Sequence, residues 1–536
     1  MKKYFLAVAS FFIYSHISLG QVYPGQMDST FVPVRSHHYD PELTFDFCVN
    51  EPAWSNQAGI HSAFGSTDRL YFRKEVPVNH DNDLSSSYST TVWRGERANA
   101  QILVWSSEAL EQVRVSTQDL RSAEGNIIPK DRITFELVRY VLSNYPYAEK
   151  KAICGESPYK SGFLMPDRFE TLDRFDLPSQ TTRPVWMMVD VPRGTVPGTY
   201  KGQVEVRAKG KAPQLLNLEI VVQNQLLPYP KDWKYRLDLW QNPWAVAWYN
   251  HVEPWSPEHK MLLKQHLKHY ADAGGTYITT YGVHSPWSDN SYMIEGGMIE
   301  WIKKADGTWA FDYKIFDEYV ELAMECGIDE AITLYTPIPW GFRHRYKDEA
   351  TGDYSYINWA PSSEEFKKMW NIFLTDFKFH LEAKSWLDIT YIGINENPME
   401  ETLAAINVVR NHDKCWKITY AGNWHKELDG LLDDYSFLYG EEPTIAEQKV
   451  RAATGRTSTV YVCCNPPIPN NFVFSPPIEG RWISWYVMAY GYDGFLRWAY
   501  DACRKMPIAT HVMALGQQAI ATWYIREAKV ASASRK

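Results

Sequence analysis

The sequence predicts a multidomain protein, an N-terminal β-sandwich followed by a (β/α)8 barrel of the TIM type. Three observations predict it. Short alternating apolar runs fill the chain to about residue 228. The period changes near residue 233, where apolar strands begin to alternate with helical stretches. Eight such strands fall within roughly 270 residues, the size of a (β/α)8 barrel.

At 536 residues the chain has room for two or three domains. Residues 1–20 read as an export signal. Lys2 and Lys3 form a basic start, residues 4–13 an apolar core, and Ser18-Leu19-Gly20 a small-residue cleavage site. That core is too short for a membrane anchor, and nothing later reads as a transmembrane segment. A periplasmic or extracellular location is therefore expected.

Residues 21–230 are expected to form the sandwich. Runs 101–105 and 132–138 alternate, and 184–191 pairs with 198–206 across the Pro197-Gly198 turn. Residues 215–222 add a last strand. Leu226-Leu-Pro-Tyr-Pro230 reads as a stiff linker. Residues 231–505 are expected to form the barrel. Its strand candidates are 235–240, 276–281, 331–335, 389–395, 417–422, 435–439, 459–464 and 494–498. Residues 257–273 put Leu262, Leu263, His266, Leu267 and Tyr270 on one helical face, and Gly274-Gly275 stops that helix. Residues 311–326 and 362–381 read as two further helices. A doubly wound sheet is the alternative, but no Gly-rich phosphate loop follows the first strand. Residues 506–536 depart from the pattern. Within them 511–531 reads as one amphipathic helix before a frayed end.

A net charge of −9 argues against a nucleic-acid partner. The seven cysteines are scattered and include no CxxC pair, so neither a zinc site nor a disulfide framework is expected. Most read as small core residues. No metal or organic cofactor is implied. The 22 tryptophans leave two readings open: stacking on sugar rings, or filling a large core.

The most informative pair is Asn395-Glu396. It closes the apolar fourth strand, and in a (β/α)8 barrel the strand carboxyl ends carry the chemistry. A carboxylic acid there suits acid/base work on a glycosidic bond. The plainer reading is a surface turn, with Pro398 opening a helix. The other tips offer Asp238, Trp240 and Gln241; His284; Trp340; Asn423 and Trp424; Tyr439; Asn465; and Arg497, Trp498, Tyr500 and Asp501. This cup of aromatics with few carboxylates suits a sugar better than a phosphate or metal.

A two-carboxylate retaining glycosidase needs a second acid, commonly at the seventh strand's end. That strand ends Val462-Cys-Cys-Asn-Pro-Pro467, with none. Glu441 and Glu442 read as the first turn of a solvated helix, where carboxylates suit the macrodipole. The other solution is substrate assistance, in which the sugar's own 2-acetamido oxygen attacks the anomeric carbon. It needs one acid/base and a polar neighbour at the same strand tip.

Several segments together resemble glycoside hydrolase family 123, the β-N-acetylgalactosaminidases common in gut Bacteroidetes. They are Trp93-Arg-Gly-Glu-Arg97 with Gln101, Pro184-Val-Trp186 with Pro197-Gly-Thr-Tyr-Lys-Gly202, and Leu237-Asp-Leu-Trp-Gln-Asn-Pro243. Tyr391-Ile-Gly-Ile-Asn-Glu396 and Gly494-Phe-Leu-Arg-Trp-Ala-Tyr-Asp501 follow in the same order. The likeness spans roughly residues 30–505. It implies an exported hydrolase that removes terminal β-linked N-acetylhexosamine, most often N-acetylgalactosamine, from a glycan or glycoconjugate.

By the resemblance, Glu396 is the acid/base and Asn395 orients the acetamido group. Asp238, Trp240, Trp340, Trp424, Tyr439, Trp498 and Tyr500 are expected to bind the sugar. Two departures stand out. Asn395 replaces the family's Asp and brings no negative charge. Residues 506–536 do not resemble the small C-terminal β-domain of relatives. A catalytically weak glycan-binding relative and a two-carboxylate glycosidase are the alternatives.

Overall fold

The computed structural model describes residues 51–79, 84–143, 163–287 and 296–501, with short strand pairs at 27–28 with 42–43 and at 147–148 with 151–152. The expected leader (1–20) and the tail helix (511–531) lie outside the described residues. One compact unit ends its main run at Pro228, and the second begins at Tyr229.

The first unit is built from two sheets. Strands Phe163–Glu170, Ile133–Ser143, Thr181–Asp190, Arg97–Ser106 and His61–Gly65 form one, in that spatial order. Phe175–Leu177, Leu110–Thr117, Gly198–Arg207, Gln214–Leu226 and Ser87–Arg94 run through the other. Alternation buries one face of each. Ile102, Val104, Val185 and Met187 of the first sheet share a core with Val113, Val204, Leu218 and Ile220 of the second. Two sheets facing across one core form a sandwich.

The second unit holds eight parallel strands: β1 Arg236–Leu239, β2 Tyr277–Tyr281, β3 Ala331–Tyr335, β4 Thr390–Ile394, β5 Lys417–Gly422, β6 Asp434–Leu438, β7 Thr457–Tyr461 and β8 Gly494–Arg497. Their ladder runs β1-β8-β7-β6-β5-β4-β3-β2. Each of the eight predicted strands corresponds to one of them, within three residues at each end. Strands β2, β3, β4 and β6 are buried at every position. That is why they read as continuous apolar runs rather than alternating ones.

Closure between β1 and β2 is made largely by side chains. A single bridge, Leu237 to Gly275, links the backbones. The Gln241 amide donates to Tyr277 O at 3.2 Å and accepts from Thr279 N at 2.9 Å, imitating a peptide group. Tyr270 donates its hydroxyl to Leu237 O at 2.7 Å and accepts from Leu239 N at 3.2 Å. The Tyr270 ring leaves no space beside Gly275, where a Cβ would lie 2.1 Å from the ring. Gly275→Ala is therefore expected to destabilise the barrel by about 2 kcal/mol, because overpacking at a fixed ring forces backbone shifts. Thermal unfolding checks this, and an unchanged melting temperature would mean the ring can move aside.

The outer helices include α1 Pro257–Asp272, α2 Lys314–Glu325, α3 Glu364–Lys384, α4 Met399–His412, α5 Ile445–Ala453 and α6 Pro477–Tyr490. Ser256 caps α1 by accepting from His259 N, and Gly274 follows its end at φ +89°. Two expectations need correction. The helix expected over 311–326 begins only at Lys314, because Trp309–Asp312 is a strand. That strand packs Phe311 against Trp301 at 5.0 Å. It belongs to a four-stranded sheet with Glu300–Lys303, Arg343–Asp348 and Tyr354–Asn358, built from the segments after β2 and β3. Glu441 and Glu442 precede α5 rather than opening it. Its N-cap is Thr444, which forms a reciprocal capping box with Glu447.

Cysteines divide as well. Cys326 is free and buried, and Cys415 is free and exposed. Cys464 is disulfide-bonded.

Candidate active site

The carboxyl ends of the barrel strands converge on a mouth, and β4 supplies its central group. Gly393 lets β4 lie against β3, since a Cβ there would sit 2.8 Å from the Tyr335 ring. After Ile394 the chain turns polar. Asn395 is buried at 3% exposure, and its Nδ2 donates to Pro286 O at 3.3 Å. Its backbone N–H donates to Thr336 Oγ1 at 3.3 Å. Asn397 Nδ2 donates to Ile338 O at 3.3 Å. The two asparagines thus clamp the turn to the segments after β2 and β3, and Glu396 between them stands out into the mouth. Helix α4 then begins behind Pro398.

The Pro286 carbonyl also fixes the Asn395 amide. A carbonyl accepts only from the NH2 side, so Oδ1 is left to face elsewhere. Among the described residues Oδ1 has no hydrogen-bond partner.

Glu396 is open to solvent, yet walls on several sides crowd its carboxyl. A concave site does both. Burial raises its pKa above the usual carboxylate range, and the Tyr461 hydroxyl pulls the other way. That hydroxyl donates to Oε1 at 2.9 Å. Tyr461 ends β7, across the barrel, and Tyr420 of β5 stands near both groups. The sequence reading missed Tyr461. It looked for acids beyond the strand end, whereas the partner of Glu396 is the strand's own last residue.

The predicted sugar-binding residues divide. Trp240 is buried in an aromatic stack, 4.5 Å from Tyr335 and 5.5 Å from Trp287 between ring centroids. Beneath it Asp238 is 5% exposed. Burial first, then the neighbouring Asp434 charge, push the Asp238 carboxyl up to about 8, so it is mostly protonated at neutral pH. These two close the floor. Trp340, Trp424, Tyr439 and Trp498 are partly exposed around the tips of β3, β5, β6 and β8. Trp424 stands 5.8 Å from Tyr435, and Tyr439 4.6 Å from Tyr486. The Trp498 indole N–H is buried with no partner among the described residues.

Tyr500 does not join them. Its hydroxyl donates to His266 O at 3.2 Å, and its ring lies 5.4 Å from Tyr270, so it faces helix α1. Three residues past the end of β8 the chain has already turned outward. Asp501 is likewise structural, accepting from the Asn242 N–H and tying the tip of β8 to that of β1. Among the described residues no cluster of His, Cys, Asp or Glu could hold a metal ion.

Known proteins bear on this geometry. The family model for the glycoside hydrolase 123 catalytic domain matches residues 240–518, and that for the glycoside hydrolase 123 N-terminal domain matches residues 64–208. Among solved structures, a family 123 glycoside hydrolase from Clostridium perfringens, analysed for glycolipid glycan hydrolysis, superposes with a TM-score of 0.77 at 26% identity. The match covers 87% of this chain and 82% of that one. A family 39 glycoside hydrolase from Bacteroides cellulosilyticus aligns at TM-score 0.32 and 11% identity, over 80% of this chain and 83% of that one. A Bacteroides ovatus xyloglucanase aligns at 0.27 and 8%, over 83% and 98%. Both are too distant to bear on function. No curated protein sequence matches the chain.

Proposed function

The chain belongs to glycoside hydrolase family 123, and we propose that it removes terminal β-linked N-acetylhexosamine, N-acetylgalactosamine above all, by substrate-assisted catalysis with retention. The observation that carries this reading is the β4 tip. One turn holds a carboxylic acid of raised pKa beside an amide whose free oxygen points away from its anchor.

In the proposed reaction Asn395 Oδ1 accepts from the acetamido N–H. The acetamido carbonyl oxygen attacks the anomeric carbon as protonated Glu396 gives its proton to the glycosidic oxygen. The aglycone leaves as an alcohol and a cyclic oxazoline-type intermediate remains. Glu396, now a carboxylate, takes a proton from water. The oxygen of that water opens the intermediate at the anomeric carbon. Two inversions give net retention. Trp340, Trp424, Tyr439 and Trp498 are proposed to wall the sugar, with Trp240 and Asp238 beneath it.

The tip of β7 favours this route over two carboxylates, because a tyrosine hydroxyl stands there. A second reading, a catalytically weak glycan binder, draws on the neutral Asn395. The glycolipid glycans associated with the Clostridium perfringens relative are the natural class proposed here. Export is proposed from the basic, apolar and small-residue order of residues 1–20, and cell fractionation tests it.

The deciding assay compares aryl β-N-acetylgalactosaminide, β-N-acetylglucosaminide and plain β-galactoside. Turnover is expected only where the acetamido group is present. Equal turnover of the plain galactoside would overturn substrate assistance, and no turnover of any would favour the binder.

Tyr461→Phe gives a pH test. The hydroxyl stabilises the Glu396 anion, so removing it raises the carboxyl pKa further. The acid must be protonated to act, so the alkaline limb of kcat/KM is expected to move to higher pH. A limb that moves down, or stays put, would mean another group sets it.

A further inference from the structure

Between β3 and α3 the chain makes the hairpin Arg343–Asp348 and Tyr354–Asn358. Its register pairs Arg345 with Tyr356 and Lys347 with Tyr354. Arg343, Arg345, Lys347, Tyr354 and Tyr356 therefore share one face. The opposite face turns inward, where buried His344 accepts from Trp370 Nε1 at 3.2 Å.

On the outer face Arg343 lies over the Tyr356 ring at 3.7 Å, and Arg345 over Tyr354 at 4.3 Å. Both tyrosines stay about half exposed, at 50% and 48%. Arg345 and Tyr354 both meet Glu300, at 3.9 and 2.9 Å. Arg343 and Lys347 have no carboxylate partner among the described residues. A guanidinium stacked on a ring is held flat, with its N–H edges aimed outward. That fork fits a carboxylate or sulfate and loses little freedom on binding.

This face continues the catalytic mouth. Trp340 N donates at 2.9 Å to Pro286 O, the same carbonyl that anchors Asn395. Arg343 follows three residues later, within about 11 Å along the chain. His284, just before Pro286, is held down to about 4 by burial and then by the charges of Arg345 and Arg343. Farther out, Arg345 and Lys347 line a cavity of about 400 Å³ whose other charged residues are Lys260, Lys314, Glu300, Asp312 and Glu318.

We propose that the outer face of this hairpin is an aglycone subsite for an anionic group, a carboxylate or a sulfate ester, on the sugars behind the cleaved N-acetylhexosamine. It rests on the hydrolase reading above and names the class of chain that reading would accept. Neutral chains would gain only the tyrosines, whereas an acidic sugar would also meet Arg343 and Lys347.

The test measures binding and turnover separately. Full-length Glu396→Gln protein is titrated with oligosaccharides ending in β-N-acetylgalactosamine, identical except that the next sugar is neutral, carboxylated or sulfated. At least one acidic form is expected to bind about tenfold tighter than the neutral one, a size suited to a charge-assisted hydrogen bond. The arm that shows the advantage identifies the group. Added salt should erode it, and Arg343→Gln with Lys347→Gln should abolish it at unchanged melting temperature. Equal affinity in all arms, or an advantage that survives both substitutions, overturns the subsite. Aryl N-acetylgalactosaminide has no sugar behind the cleaved bond, so its turnover by the unmodified protein tests the hydrolase reading alone.

Discussion

Glu396→Gln is expected to lower kcat/KM on oligosaccharide β-N-acetylgalactosaminides by about a thousandfold, within the range general acid catalysis supplies. Glutamine keeps the shape of the side chain, and its amide can still meet the Tyr461 hydroxyl that now sits 2.9 Å from Oε1. Only the proton is lost. An alkoxide leaving group needs that proton; a dinitrophenolate hardly does. The loss on dinitrophenyl glycosides is therefore expected to stay below about tenfold in kcat/KM, which reports the first step. Affinity for the product sugar should hardly change. Equal losses across leaving groups would mean that Glu396 acts otherwise than as the acid, and an unaffected variant would move the role to another residue.

The barrel was legible because most of its strands are buried on both faces, so they read as apolar runs that stop at polar tips. The sheet after β2 and β3 was not. Tyr354 and Tyr356 stand half exposed on a strand that otherwise carries Ser355, Ile357 and Asn358, and no apolar stripe marks it. Nearby, Phe311 looks like part of the helix that follows it. Composition left the tryptophans open between sugar stacking and core filling, and several take the second role. Trp301, Trp359 and Trp370 fill the core under that sheet, with His344 among them.

Nearness to a strand end did not by itself place a residue at the mouth. Glu396 follows β4 closely enough to point with it, whereas Tyr500 has turned to helix α1. Tyr461 reads as one more apolar strand position. Its meaning depends on β7 bringing its tip to that of β4, which is a fact of barrel closure rather than of local sequence.

Asn395→Asp sets two effects against each other. In substrate-assisted cleavage, positive charge develops on the acetamido nitrogen, and a carboxylate at this position would stabilise it. Preorganised electrostatic groups of this kind contribute about 3 kcal/mol. Against that, the Asn395 amide now donates to Pro286 O at 3.3 Å, and an ionised aspartate would turn an acceptor toward that acceptor. The lost hydrogen bond costs about 1 kcal/mol. Burial at 3% exposure further penalises the charge and raises the new carboxyl's pKa.

The gain still exceeds the cost once the group ionises. The variant is therefore expected to raise kcat about tenfold at neutral pH and above, roughly 1.4 kcal/mol. At acid pH the protonated carboxyl donates to Pro286 O much as the amide does, and the advantage should vanish. Stability should move the opposite way. A carboxyl whose folded pKa is raised weakens the fold as it ionises. The variant should thus match the parent below about pH 4 and fall behind it as pH rises through the folded pKa. Rates and melting temperatures measured across that range separate the two effects. A variant as stable as the parent at neutral pH, with an unchanged or lower rate on N-acetylhexosaminides, would count against substrate assistance and favour the glycan-binding reading.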